Sequence, residues 1–486
     1  MNSVKKDTLD GLDYASPEEK KERLLTLTPA AGYYNSSSNK SYDGTIGNYW
    51  SSTQNDSNNA YNVNFNNNNF NASNNNNKTN YNAVRLVQHP SPDSLLTELF
   101  LSYYSARSNK RNTYTQSRFE RNLVLNIVTL WDEIRTRRYR VGRSICFIID
   151  RPVKREVFAA SFRDRVIHHL LYRYLMPVFD PIFIYDSYSC REGKGTLFGI
   201  KRLEHHLRSC SQNYTKTCYI LKLDLQGYFM SIDRQRLYDI VISTLRAKGK
   251  HKDDVYPTID FLLRQVIFND PTKGCYMKGS WDDWKDLPQT KSLFYTREGC
   301  GLPIGNLTSQ LFSNVYLNLL DQYVKRTLKI KHYGRYVDDF YLIHESKDYL
   351  LDCIRPIRDF LDKELCLKLH PKKVYLQSCW KGVQFLGAVI KPRKRFPAPR
   401  GIKRMRVHLA ETFSDVQDPY YLRAVVGSYV GYLGNFNCAP SMLRKVWGPM
   451  GHPAGVPGGS YYRANSLNKI VLRKEQPDRV DTLQKG

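Results

Sequence analysis

The stretch RYVDDFYLI, residues 335–343, sets two adjacent carboxylates inside an otherwise apolar run. Apolar residues on either side of the Asp-Asp pair read as two short strands joined by a tight acidic turn. A second apolar strand pattern, LKLDLQGYF (221–229), holds Asp224 near its end, where an unpaired carboxylate would be expensive to bury. Neighbouring carboxylates repel, and a divalent cation is the usual remedy. Asp224, Asp338 and Asp339 on adjoining strand ends could hold two Mg2+ ions roughly 3.5–4 Å apart, one activating an attacking hydroxyl and one stabilising a leaving oxygen. That is the requirement of nucleotidyl transfer. Taken singly, the Asp-Asp pair also reads as an exposed hairpin turn and Asp224 as a strand-end cap; their joint occurrence in a basic chain favours the metal reading.

The surroundings are basic. The 486 residues carry 73 Lys+Arg against 46 Asp+Glu, a formal charge of +27. Residues 1–89 hold eight of each sign, so the whole excess lies from Pro90 onward. Such a field attracts a polyanion, nucleic acid being the commonest, although solubility alone would also account for it. Ten cysteines are scattered without C-x-x-C or metal-ligand spacing. MNSVKKDTLD has no apolar signal core, and no run of about 18 apolar residues could span a membrane. Free thiols in a reducing cytoplasm are the simplest expectation.

Working outward, helices are expected around 161–177, 234–247, 306–328 and 347–363, and strands at YILKLDLQ (219–226) and GVQFLGAVI (382–390), giving a mixed α/β region. Upstream, SLLTELFLSYYSARS (94–108) and FERNLVLNIVTLWDEIRTRRYR (119–140) read as helices, and SPEEKKERLL (16–25) as a short one. Beyond KPRKRFPAPRGIKRMR (391–406) the pattern is helical again in YYLRAVVGSYVGYLG (420–434) and SMLRKVW (441–447).

The ordered blocks RPVKREVFAASFRDRVIHHLL, SYSCREGKGT, LKLDLQGYFMSID, GLPIGNLTSQLFSNVYLN, RYVDDFYLI, LHPKKV and VQFLGAVI resemble the successive finger and palm motifs of reverse transcriptases. The resemblance implies an α+β right-hand polymerase: fingers and palm over 90–390 and a basic helical thumb and tail over 391–486. Ahead of it stand a charged segment, 1–28, and a poorly ordered Asn-rich extension, 29–89. It implies that Asp224, Asp338 and Asp339 bind the two Mg2+ ions, and that Phe229 excludes a ribose 2′-OH, an ordinary core Phe being the alternative. Gly227 and Tyr228 would offer backbone N–H groups to the triphosphate, which Arg191 and Lys194 would neutralise. Ile304 and Gly305 would line the nascent base pair. Tyr336, Phe385, Leu386 and Gly387 would contact primer and template. RNA template, DNA product and deoxynucleoside triphosphates follow as ligands.

One block departs from the general pattern. Most reverse transcriptases read Pro-Gln-Gly and then Ser-Pro, whereas this chain has Pro303-Ile304-Gly305-Asn306 and then Ser309-Gln310. Ile304 makes no side-chain hydrogen bond, so a polar check on the base pair is lost, worth on the order of 1 kcal/mol. IGNLTSQ resembles the version in diversity-generating retroelements, whose enzymes miscopy template adenines and work with a small basic accessory protein. Group II intron and retron-type enzymes are disfavoured by Ile304 and Gln310. A non-catalytic RNA-binding protein on a polymerase scaffold is disfavoured by the intact carboxylates.

The same resemblance offers a reason for YNVNFNNNNFNASNNNNKTNYN (61–82): between Gln54 and Asn82, 16 of 29 residues are Asn. Asn codons, AAC or AAT, are the ones that adenine mutation diversifies without creating a stop. GYYNSS, GNYWSS, AYNVNF and VRLV resemble the end of a lectin-like variable domain, so residues 29–88 read as a translated template repeat. A fused binding module and a disordered polar linker remain as alternatives.

Overall fold

The computed structural model describes residues 95–108, 113–150, 153–415 and 418–437, together with strand backbone at 33–34, 40–41, 46–54, 59–66, 70–77, 81–82, 462–464 and 470–472. The chain divides into two compact units, residues 1–101 and 102–486. The division falls within the helix Leu95–Arg107, somewhat beyond the boundary read from composition.

The first unit contains strands β1 (Tyr33–Tyr34), β2 (Lys40–Ser41), β3 (Ile46–Gln54), β4 (Asn59–Asn66), β5 (Phe70–Asn77) and β6 (Tyr81–Asn82). They form two antiparallel sheets, ordered β2-β1-β6 and β3-β4-β5. The intervening segments, and with them the expectation of poor order, lie outside the described residues. So do SPEEKKERLL and SMLRKVW.

In the second unit, β7 (Ile145–Ile149) and β8 (Arg155–Ala159) make a hairpin joined in parallel by β10 (Tyr276–Met277). The central sheet has the order β11-β12-β9-β13, all antiparallel, from β9 (Tyr219–Asp224), β11 (His332–Tyr336), β12 (Asp339–His344) and β13 (Tyr375–Ser378). Both faces are covered, as the continuous apolar reading requires. On one side Ile220, Tyr341 and Ile343 pack on Ile200, Leu203 and Leu207 of the helix Thr196–Cys210. By strand alternation Leu221, Leu223, Phe340 and Leu342, each at most 1% exposed, face the other way.

Several elements differ from the sequence expectation. The 119–140 helix is two, Tyr114–Glu120 and Leu123–Arg135, broken at Arg121-Asn122. The 347–363 helix is broken at Cys353 into Lys347–Asp352 and Ile354–Leu365. The 306–328 helix runs as α-helix over Leu307–Gln322 and widens to a π-turn at Tyr323–Thr327. The expected strand at 382–390 is a hairpin of β14 (Val383–Phe385) and β15 (Ala388–Lys391), extended by β16 (Lys394–Pro397). Its turn places Leu386 at φ 48 and Gly387 at φ 82, the twin positive φ values of a tight two-residue hairpin. Helices Pro399–Asp415 and Pro419–Leu433 follow and share a core of Met405, Leu409, Val426, Val430 and Leu433. Near the C-terminus β17 (Tyr462–Ala464) pairs with β18 (Ile470–Leu472).

Candidate active site

Register brings the carboxylates together. Asp339 sits directly opposite Asp224 across the β12–β9 pair, and Asp338 lies in the two-residue turn that links β11 to β12. Residues 114 and 115 positions apart in sequence thereby share one sheet end. The turn is strained: Val337 has φ 55, which a β-branched residue adopts at a cost of about 1–2 kcal/mol.

The electrostatics follow from that crowding. Burial, with the Asp224 and Asp339 charges, pushes the Asp338 carboxyl up to about 6. Burial also raises Asp339, which Lys222 partly offsets. Two ammonium groups stand on the cluster: Lys373 Nζ donates to Asp224 Oδ1 and Oδ2 at 2.9 and 3.0 Å, and Lys222 Nζ lies 3.4 Å from Asp339 Oδ1. Lys222 also donates to the Gln384 carbonyl at 2.9 Å, tying the sheet end to the hairpin. Sequence reasoning missed both lysines. The available signal was a Lys two residues before Asp224 in an apolar strand, hence on the same face. Among the described residues no three carboxylate, imidazole or thiol groups converge as a closed metal cage. The donor chemistry is nonetheless that of a hard divalent cation, and the lysines mark where this anionic cluster draws in positive charge.

Around the carboxylates the expected nucleotide residues separate into two groups. Gly227 has φ 55, and a Cβ there would meet the Thr290 carbonyl oxygen at 2.8 Å, so only glycine fits. It heads the single helical turn Tyr228–Ser231, whose leading N–H groups have no acceptor within the turn. The Tyr228 side chain is buried and donates to the Ser313 carbonyl at 2.7 Å, leaving its backbone as the usable part. Phe229 and Ile304 pack against one apolar cluster that includes Phe158, Met230 and Trp284. The Ile304 carbonyl accepts from Phe158 N at 2.9 Å, and Asn306 Oδ1 accepts from Ala160 N at 3.2 Å. Gly305, at φ 125, lets this segment lie against β8, where a Cβ would meet Val157 Cγ1 at 2.9 Å.

Arg191 belongs to the other group. Its side chain is 6% exposed, and its donors go to Asp180 Oδ1 (2.6 Å) and to the carbonyls of Ile184, Ser187 and Asp180. In this arrangement it braces a loop, with four of its five N–H donors engaged by Asp180 and the three carbonyls. Lys194 donates to the Tyr185 carbonyl at 2.5 Å and lies over the Tyr185 ring; burial, reinforced by Arg191, brings its ammonium down to about 8.

Of the expected primer and template residues, Tyr336 is half-buried beside the turn. Phe385 is a core residue, edge-on to Tyr341 with 5.2 Å between centroids. Leu386 and Gly387 form the hairpin tip, and the Gly387 carbonyl accepts from Tyr432 of the helix Pro419–Leu433 at 3.2 Å.

A four-stranded antiparallel palm presenting paired carboxylates at one sheet end, with helices following, defines a right-hand polymerase fold. Residues 154–390 match the reverse transcriptase (RNA-dependent DNA polymerase) family, and the chain is therefore an RNA-directed DNA polymerase. Residues 2–87 match a family described as a domain of unknown function. Protein YkfC of Escherichia coli (strain K12) is 20% identical over 366 residues, spanning 68% of this chain and 88% of that protein. Among solved structures, telomerase from Candida albicans in complex with a TWJ fragment of telomeric RNA aligns with a TM-score of 0.38 at 12% identity, over 64% of this chain and 56% of that one. Apo telomerase from Candida tropicalis, truncated of its C-terminal domain, aligns with a TM-score of 0.36 at 13% identity, over 56% of this chain and 60% of that one. The nine cysteines among the described residues are free. No helix among the described residues is long and apolar enough to cross a membrane.

Proposed function

We propose that this polymerase serves a diversity-generating retroelement, copying a template-repeat RNA into cDNA with errors concentrated at template adenines. The observation that carries this reading is Ile304: an apolar side chain, packed with Phe229 on one cluster and tied through its carbonyl to β8, stands where a hydrogen-bonding Gln is usual. Asp224, Asp338 and Asp339 would hold two Mg2+ ions. When bound, they would supply activation of the primer hydroxyl and neutralisation of the charge developing at the transferred phosphate. The protein's own part is positioning. Lys373 holds the Asp224 carboxylate in place, Gly227 and Tyr228 present N–H groups to the triphosphate, and Phe229 closes the space a 2′-OH would occupy. Basic stretches at 134–143 and 391–405 take the RNA phosphates, and a small basic accessory protein binds the same complex.

The test is sequencing of cDNA made by the wild-type enzyme and Ile304→Gln on one RNA. The reading expects wild-type errors clustered opposite adenine, reduced in the variant with a modest change in rate. A buried unsatisfied amide would instead lower the melting temperature, by an amount corresponding to about 1–3 kcal/mol, and leave the error spectrum alone. A properly folded variant with an unchanged adenine fraction would remove Ile304 from the mechanism. For residues 29–88 a second reading, a working protein module, is favoured by the family match over 2–87.

A further inference from the structure

Behind the catalytic turn lies a fully buried ion pair that the assignment of the carboxylates does not use. Arg335 and Asp321 are both 0% exposed and bonded as a fork, Nε to Oδ1 at 2.8 Å and Nη2 to Oδ2 at 2.6 Å. Tyr333 donates to the same Oδ1 at 2.7 Å. Arg335 Nη1 is directed elsewhere. It donates to the Val337 carbonyl at 3.0 Å and lies 3.3 Å from Asn314 Oδ1, while Asn314 is itself held by the Ser189 carbonyl at 2.8 Å. The guanidinium therefore grips one backbone oxygen of the turn, that of the strained Val337 immediately before Asp338.

A buried ion pair is weak evidence for stability, because apolar residues of similar volume often serve as well. A planar fork that satisfies an acid along one edge and a backbone carbonyl from the other does something apolar packing does not: it fixes the direction of a peptide. Asp321 lies on the helix Leu307–Gln322, which begins directly after the Ile304 segment. One rigid element thus connects the base-pair segment to the carboxylate turn.

We propose that Arg335, oriented by Asp321, is a positioning residue for catalysis: by holding the Val337 carbonyl it keeps the turn left-handed and so sets the Asp338 carboxyl beside Asp224 and Asp339. The proposal rests on those carboxylates being the metal ligands, so Asp338→Asn is measured alongside. If that variant retains synthesis and Mn2+ binding, the ligand assignment fails, separately from the role of Arg335.

Arg335→Lys keeps the charge for Asp321 but has no fork to reach both partners. In folded protein it lowers kcat by about 100-fold, the scale of a misplaced catalytic group, with KM for the nucleotide within about threefold. Mn2+ affinity, measured on the protein without nucleic acid, falls roughly tenfold, as for lost outer-sphere support. Glycine adopts positive φ without strain, so Val337→Gly added to Arg335→Lys recovers at least about tenfold of the kcat. A merely structural pair would not show that rescue. Where Arg335→Lys fails to fold, the triple variant Arg335→Met, Asp321→Leu, Tyr333→Phe leaves no orphan charge and carries the same expected losses in kcat and Mn2+ affinity. Wild-type kcat and Mn2+ affinity in either folded variant, or a loss of kcat with intact Mn2+ binding that Val337→Gly does not relieve, would overturn the proposal.

Discussion

Two antiparallel sheets in this chain are built on opposite compositions. In the palm, register sets Phe340 against Leu223, Leu342 against Leu221 and Ile343 against Ile220, and the pair that breaks the pattern is Asp339 against Asp224. In the N-terminal sheet register sets Asn59 against Asn77, Asn62 against Asn74 and Asn64 against Asn71. Burial on two faces dictates most of the palm composition, so two carboxylates facing each other there, with Lys222 beside them, locate chemistry. Asparagine is depleted in strands, and no rule of strand packing calls for it at position after position. The contrast teaches that one sheet is specified by the physics of the folded protein. The other composition is expected if selection acts on codons.

The largest effect that could break this contrast comes from the odd pair itself. Asp224→Asn or Asp338→Asn lowers DNA synthesis by on the order of 10³-fold or more while leaving folding and RNA binding near wild type, as checked by primer extension, melting and a binding titration. The Asp338 carboxyl is held above its ordinary range, near 6, so its ionisation weighs against the folded state as pH rises from about 4 through 6. Asp338→Asn therefore melts slightly higher than wild type at pH 7.5, by up to about 1 kcal/mol after allowance for partial exposure, and the difference vanishes near pH 4. A variant that melts lower at neutral pH contradicts the crowded-carboxylate account.

Next in size is the salt response of the basic region. RNA affinity falls about a thousandfold between 50 and 200 mM salt if several of the Lys and Arg side chains at 134–143 and 391–405 contact phosphates. A flat dissociation constant over that range would show that the charge excess serves something other than RNA. Smallest is the effect of the Asn sheet. Removal of residues 1–88, with RNA supplied separately, changes primer-extension rates on generic templates by less than about threefold, since that segment's charges cancel. A larger loss would make it a working protein domain.

Much of the palm was legible in the sequence because its signals are local. Strand alternation places β9, β11 and β12, and a carboxylate near the end of an apolar run marks Asp224. What was missed depends on partners remote in sequence. Lys373 reaches Asp224 across 149 positions, and Arg335 meets Asp321 only because helix and strand pack together. Periodicity reports burial but not which buried charge meets which. For the same reason Arg191 reads as a free cation until Asp180 and three carbonyls are seen around it. The Leu386-Gly387 turn hid inside an apolar run because both flanking strands are themselves apolar.

The central claim, that the palm answers to protein physics and the Asn sheet to its nucleic acid, is tested most directly by reading the DNA on either side of the coding sequence. The account predicts a near-copy of codons 29–88 inside a second coding sequence, differing from the first almost only where the first has adenine. No such copy, or a copy whose differences fall evenly on all four bases, would contradict it.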